Sequence, residues 1–178
     1  MPLSSYLRYL WQAKGRHGTH SPFVYAFVEQ VLRGKVQAAA PLPQHAFSDQ
    51  QINLLYRVLR FLHPDQVAYA ATSEENKSLL AVLQQQAVGQ PQADGIPVPL
   101  HFSKMLLIDP DSEAEQDLPG PEQNIVYLVL HPHKNKMTET LWRQCYHLRG
   151  TIVSMDCWWF GLLIKHEAFR HSQYFALR

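Results

Sequence analysis

The sequence predicts an α/β domain, and three stretches carry that prediction. Residues 65–83, DQVAYAATSEENKSLLAVL, run from a short apolar strand at Gln66–Ala71 through Thr72 and Ser73 into a helix from Glu74 onward. Asn124 to Leu130, NIVYLVL, is an unbroken apolar strand followed by a helical pattern over Met137 to Leu148. Strands that alternate with helices of this length call for crossover connections and a mostly parallel sheet. The third stretch ends the sheet differently. Thr151–Cys157 and Phe160–Ile164 are joined only through Trp158 and Trp159, which implies an antiparallel hairpin. The 178 residues suit one domain, with a helical part over 1–63 and an α/β core over 64–178.

Three helices are expected before the first strand. In Ser5 to Lys14 the residues Leu3, Tyr6, Leu7, Leu10 and Trp11 fall on one stripe, and Gly15 can end the helix in the left-handed region. That stripe packs on the domain or presents a partner face. Ser21 can cap a second helix that begins at Pro22, where a missing N–H costs nothing. Phe23, Val24, Phe27, Val28 and Val31 form its buried side, and Gly34 stops it. Val36 to Phe47, with two prolines, reads as extended or irregular chain. Ser48 with Gln51 then forms a capping box for a third helix, which Pro64 ends.

Within the core, the strand–loop–helix unit at 65–83 is where a doubly wound domain holds a nucleotide-like cofactor. Glycines usually open that loop to the ligand. Here the loop reads Ala70, Ala71, Thr72, Ser73, Glu74, Glu75. Thr72 and Glu75 match a T-x-x-E capping box, which would occupy the N–H donors a ligand needs. Glu74 and Glu75 place negative charge at the positive end of the helix. Met105 to Ile108 is the next firm strand, because Pro97 and Pro99 demote the chain before it. Tyr174 to Leu177 can add an edge strand.

Net charge is +1, so no global field draws this chain to nucleic acid or to a membrane surface. Cys145 and Cys157 form no motif and suit a reducing compartment. The N-terminal residues lack the apolar core of a secretory signal, and a cytoplasmic location is the expectation. His17 and His20 are a weak metal signal, more simply read as turn-fixing residues.

Three pieces resemble a bacterial branch of the class I S-adenosylmethionine-dependent methyltransferases. They are KGRHGTHSPFVYAFV (Lys14–Val28), YRVLRFLHPDQVAYAATS (Tyr56–Ser73), and HPHKNKMTETLW followed by TIVSMDCWWFGLLI (His131–Trp142 and Thr151–Ile164). The first is similar to that branch's HGxHSPF opening. The resemblance implies a reduced Rossmann-like sheet, mostly parallel with a C-terminal antiparallel hairpin, preceded by three N-terminal helices. It implies S-adenosylmethionine at Tyr69, Ala71, Thr72 and Ser73. It also places Asp109 after the family's fourth strand, His131 where an Asp often follows the fifth, and His133 where this branch has a His. Asp109 and His133 are then the catalytic candidates.

The sequence departs from the family at the cofactor loop. Tyr69 takes the position of an acidic residue, Ala71 and Glu75 stand where glycines belong, and the chain between the first strand and Asp109 has about half the family's length. Asp109, Asp111, His131 and His133 would share one sheet edge, and Asp109 with His131 could hold a divalent metal, the histidines favouring a softer ion such as zinc. A solvated loop pair with no ligand is the simpler reading. Three functions follow: a catalytically weak or inactive methyltransferase relative acting as a binding or oligomerisation module, an active small-molecule O-methyltransferase with an altered cofactor site, and a metal-binding module. A small molecule or a protein is the expected partner, and a homodimer would cover apolar surface left by a shortened sheet.

Overall fold

The computed structural model describes residues 3–13, 21–71, 73–88, 100–109, 122–147 and 153–178. The chain is α/β, with a six-stranded mixed sheet and helices on both faces. The helices before the sheet are α1 (Leu3–Gln12), α2 (Pro22–Phe27) continuing as a π-helical turn (Val28–Leu32), and α3 (Asp49–Leu62). The strands and later helices are β1 (Gln66–Ala71), α4 (Glu74–Val88), β2 (Lys104–Ile108), β3 (Ile125–Leu130), α5 (Lys136–Tyr146), β4 (Val153–Asp156), β5 (Phe160–Lys165) and β6 (Gln173–Ala176).

Strand order is β1-β2-β3-β5-β4-β6. β1, β2 and β3 pair in parallel. β5 runs antiparallel between β3 and β4, and β6 lies parallel to β4. The hairpin expected through Trp158 and Trp159 is therefore present. β5 alone is reversed, so β1, β2, β3, β4 and β6 all end at one sheet edge.

The alternation of side chains along the strands sorts them into two cores. Val126, Leu128 and Leu130 of β3 join Met105 and Leu107 under α2, α3 and α4. Ile125, Tyr127 and Val129 face the other way, against Trp142 and Cys145 of α5. Every residue of β3 is buried, as its unbroken apolar run requires of a central strand.

Local signals set the helix starts. The Ser21 side chain accepts from Val24 N ahead of Pro22. Ser48 and Gln51 form the reciprocal box, and His63 closes α3 in the left-handed conformation before Pro64. Asn135 and Thr138 make a further box at α5. Two features differ from expectation. The second helix does not stay α-helical to Gly34. It widens into the π turn, with Arg33 N donating to Val28 O, and this turn leads into Gly34 and Lys35 at the edge of a cavity.

The first helix also turns differently. Only part of its predicted stripe packs on the domain: Leu10 and Tyr6 do, but Trp11 is 88% exposed and Leu7 is exposed too, whereas Tyr9 and Ala13 are buried. The reason is polar as well as apolar. The Tyr9 hydroxyl donates to the carbonyls of Leu177 and Asp156, and its ring packs on Trp158. A periodicity that weighs only hydrophobicity cannot see that anchor.

Candidate functional site

The carboxyl ends of β1, β2, β3, β4 and β6 gather the candidates along one sheet edge, the edge at which open α/β sheets bind ligands. At the end of β1 a bulge shifts the register between Tyr69 and Ala71. Tyr69 packs against the core and its hydroxyl donates to Lys77 O in α4 at 3.4 Å; burial pushes its pKa up. Ser73 caps α4: its Oγ accepts from Asn76 N at 3.2 Å and its carbonyl from Lys77 N. The cap therefore sits one residue later than the T-x-x-E box placed it, and Glu74 ion-pairs with Lys77 at 2.6 Å. Thr72 lies outside the described residues, and Ala71 is described as backbone only.

Asp109 follows β2 and His131 follows β3, at the ends of adjacent strands. His131 has φ of 47°, its ring stacks on Phe47 at 5.7 Å, and its backbone N–H donates to Trp159 O. Among the described residues, no three His, Cys, Asp or Glu side chains cluster as a metal site. Asp111, His17 and His20 lie outside the described residues.

His133 belongs to a different constellation, centred on Asp156 at the end of β4. Asp156 is 1% exposed. Its Oδ2 accepts from His133 Nε2 at 2.7 Å, Trp142 Nε1 at 3.0 Å and the Tyr174 hydroxyl at 3.0 Å. Its Oδ1 accepts from Trp158 N at 3.0 Å. Four donors on one carboxylate satisfy a charge that burial would otherwise make costly. Tyr174 is 43% exposed as a residue, yet its hydroxyl reaches this buried acid. Burial first, then the Asp156 charge and its hydrogen bond, push the phenol's pKa up, so it stays a donor. Tyr9 is raised by burial and then by Cys157 and Asp156.

The His133 ring lies parallel to Trp158, 4.6 Å away at 12°. A carboxylate only accepts, so His133 presents Nε2–H to Asp156. Neither thiol is a ready nucleophile: burial pushes Cys145 up to about 11 and Cys157 well above its ordinary value.

No protein-family model, curated protein or solved structure matches this chain.

Beside the Asp156 constellation lies a cavity of about 650 Å³. Tyr6, Tyr9 and Leu10 of α1 form one wall. Gln50, Asn53, Leu54 and Arg57 of α3 form another, with Gly34, Lys35 and Gln37 of the linking chain. Cys157, Trp158, Trp159 and Leu177 close it at the sheet edge. Neither Tyr69 nor Ser73 lines it. Sequence reasoning missed both Asp156 and this cavity. The signal for Asp156 was a lone acid inside an apolar strand, VSMDC, since acids are rarely buried without partners.

Proposed function

We propose that this chain is a methyltransferase-like α/β domain that binds a ligand or partner without catalysing methyl transfer. The observation that carries the proposal is the β1–α4 junction, where the chain caps the start of α4 with its own side chain. Ser73 caps the helix, Tyr69 is tied to Lys77 O, and Glu74 and Glu75 stand in the first turn. A carboxylate brought there meets two acids at a helix end where N–H groups would otherwise receive it. The β4–β5 hairpin on a parallel β1-β2-β3 sheet supports the ancestry, since the resemblance implies an antiparallel hairpin near the C-terminal end. Asp109 and His131 offer two donors at neighbouring strand ends, too few to hold an ion without further ligands.

Calorimetric titration tests the reading. S-adenosylmethionine and its demethylated product should give no heat of binding up to millimolar concentration. A micromolar Kd for either overturns the proposal in favour of an active enzyme with an altered cofactor site.

A second reading, self-association, rests on α1, where Leu7 and Trp11 are exposed. If that face joins two copies, sedimentation should show a dimer that Trp11→Ala dissociates. A monomer at all concentrations rules it out.

A further inference from the structure

The geometry points to a ligand for the cavity between α1, α3 and the β4–β5 turn: a planar aromatic anion of about nucleotide size. This rests on the binding-module reading and names the site and ligand class it requires. At about 650 Å³ the cavity lies within the ~300–1,000 Å³ of small-molecule sites. Its place at the carboxyl ends of β4 and β6 is the ligand-binding edge of an α/β sheet.

The walls specify the aromatic part. Tyr6, Tyr9, Trp158 and Trp159 all line the space. Trp158 is fixed by its stack on His133 and by edge contact with Tyr6 at 4.8 Å. Its backbone N–H is held by Asp156 and its φ is 66°. A ring clamped from several sides loses little freedom when a flat ligand packs beside it.

The charges specify the anion. Lys35, Arg57 and Arg178 line the cavity, and among the described residues no Asp or Glu does. Arg57 is the central one. Its Nε donates to Val31 O at 2.6 Å and its Nη1 to Val36 O at 3.3 Å, so neutral carbonyls orient it. Nη2 has no protein acceptor among the described residues. Burial lowers the Arg57 pKa, the mark of a cation partly stripped of water. A carboxylate or phosphate would supply the counter-charge through charge-assisted bonds. Lys35 is exposed and carries no ion pair among the described residues, and it stands at the same opening.

Calorimetry with two probes tests this, each paired with a neutral counterpart: adenosine monophosphate with adenosine, and 2-naphthoate with 2-naphthalenemethanol. At least one anion should bind saturably, about tenfold more tightly than its counterpart, the value of one charge-assisted bond. The tighter anion tells phosphate from carboxylate. Lys35→Gln and Arg57→Gln should each weaken it by about tenfold or more. Lys35→Gln alters only an exposed side chain, so it serves even if Arg57→Gln perturbs folding. Three results overturn the inference: no saturable binding of either anion, equal affinity for charged and neutral probes, or unchanged affinity in both variants. Binding of the methyl donor at the β1–α4 junction would survive Lys35→Gln and Arg57→Gln, whereas binding in the cavity would not, so the two readings can fail separately.

Discussion

Replacing Asp156 with alanine should cost about 3–5 kcal/mol, a large part of the ~5–15 kcal/mol that holds a domain of this kind together. The magnitude comes from what is left behind. His133 Nε2, Trp142 Nε1, the Tyr174 hydroxyl and Trp158 N all donate to this one carboxylate. Each donor stranded out of water costs about 1–3 kcal/mol. Trp142 is buried and cannot turn to solvent, whereas Tyr174 can, so the penalties will not simply add. Asp156→Asn keeps the volume but turns one acceptor into an amide donor facing donors, and should cost less, about 1–3 kcal/mol. Urea unfolding followed by circular dichroism gives both numbers. A loss below 1 kcal/mol for the alanine variant would show that the network does not hold the sheet edge together.

Gly161→Ala should cost about 3 kcal/mol, the upper part of the range for overpacked cores. Gly161 lies in β5 opposite Val129 and Asp156. A Cβ there would stand 2.5 Å from Trp142 Cζ3 and 2.6 Å from Cη2. The indole cannot retreat freely, because it is buried under α5 and its Nε1 is bonded to Asp156. One added methyl group therefore disturbs packing and hydrogen bonding together. The check is a double-mutant cycle with Trp142→Phe, whose smaller ring gives the methyl room. Gly161→Ala should cost at least 1 kcal/mol less in that background. Equal cost in both backgrounds would mean that the ring is not what excludes the side chain.

These two residues also mark the limit of reading the sequence alone. What depends on neighbours a few positions apart was legible. The apolar run at Ile125–Leu130, the Ser48–Gln51 box, the proline after α3 and the two-tryptophan hairpin turn each encode their structure locally. The candidate site was only partly so. Asp109 and His131 fall at adjacent strand ends, but His133, two residues beyond, turns to an acid 23 positions away. The cavity is less local still. Its walls come from α1, α3, the hairpin turn and the last residues of the chain, and no spacing pattern joins them. The stripe on α1 was incomplete for a related reason. Hydrophobic periodicity put Leu7 and Trp11 on a stripe that either packs on the domain or presents a partner face, while the docking is governed by the hydroxyl of Tyr9, which periodicity does not weigh.

That hydroxyl joins the first helix to Leu177, across 168 positions of chain. Arg178 repeats the tie by donating to Leu10 O. During synthesis α1 leaves the ribosome long before β6 and Leu177 exist to receive it. Contacts this distant form after nearer ones have shortened the intervening loop. The helix therefore works as a clasp: its buried anchors, Tyr9 and Ala13, have nothing to dock on until the far margin of the sheet has been laid down.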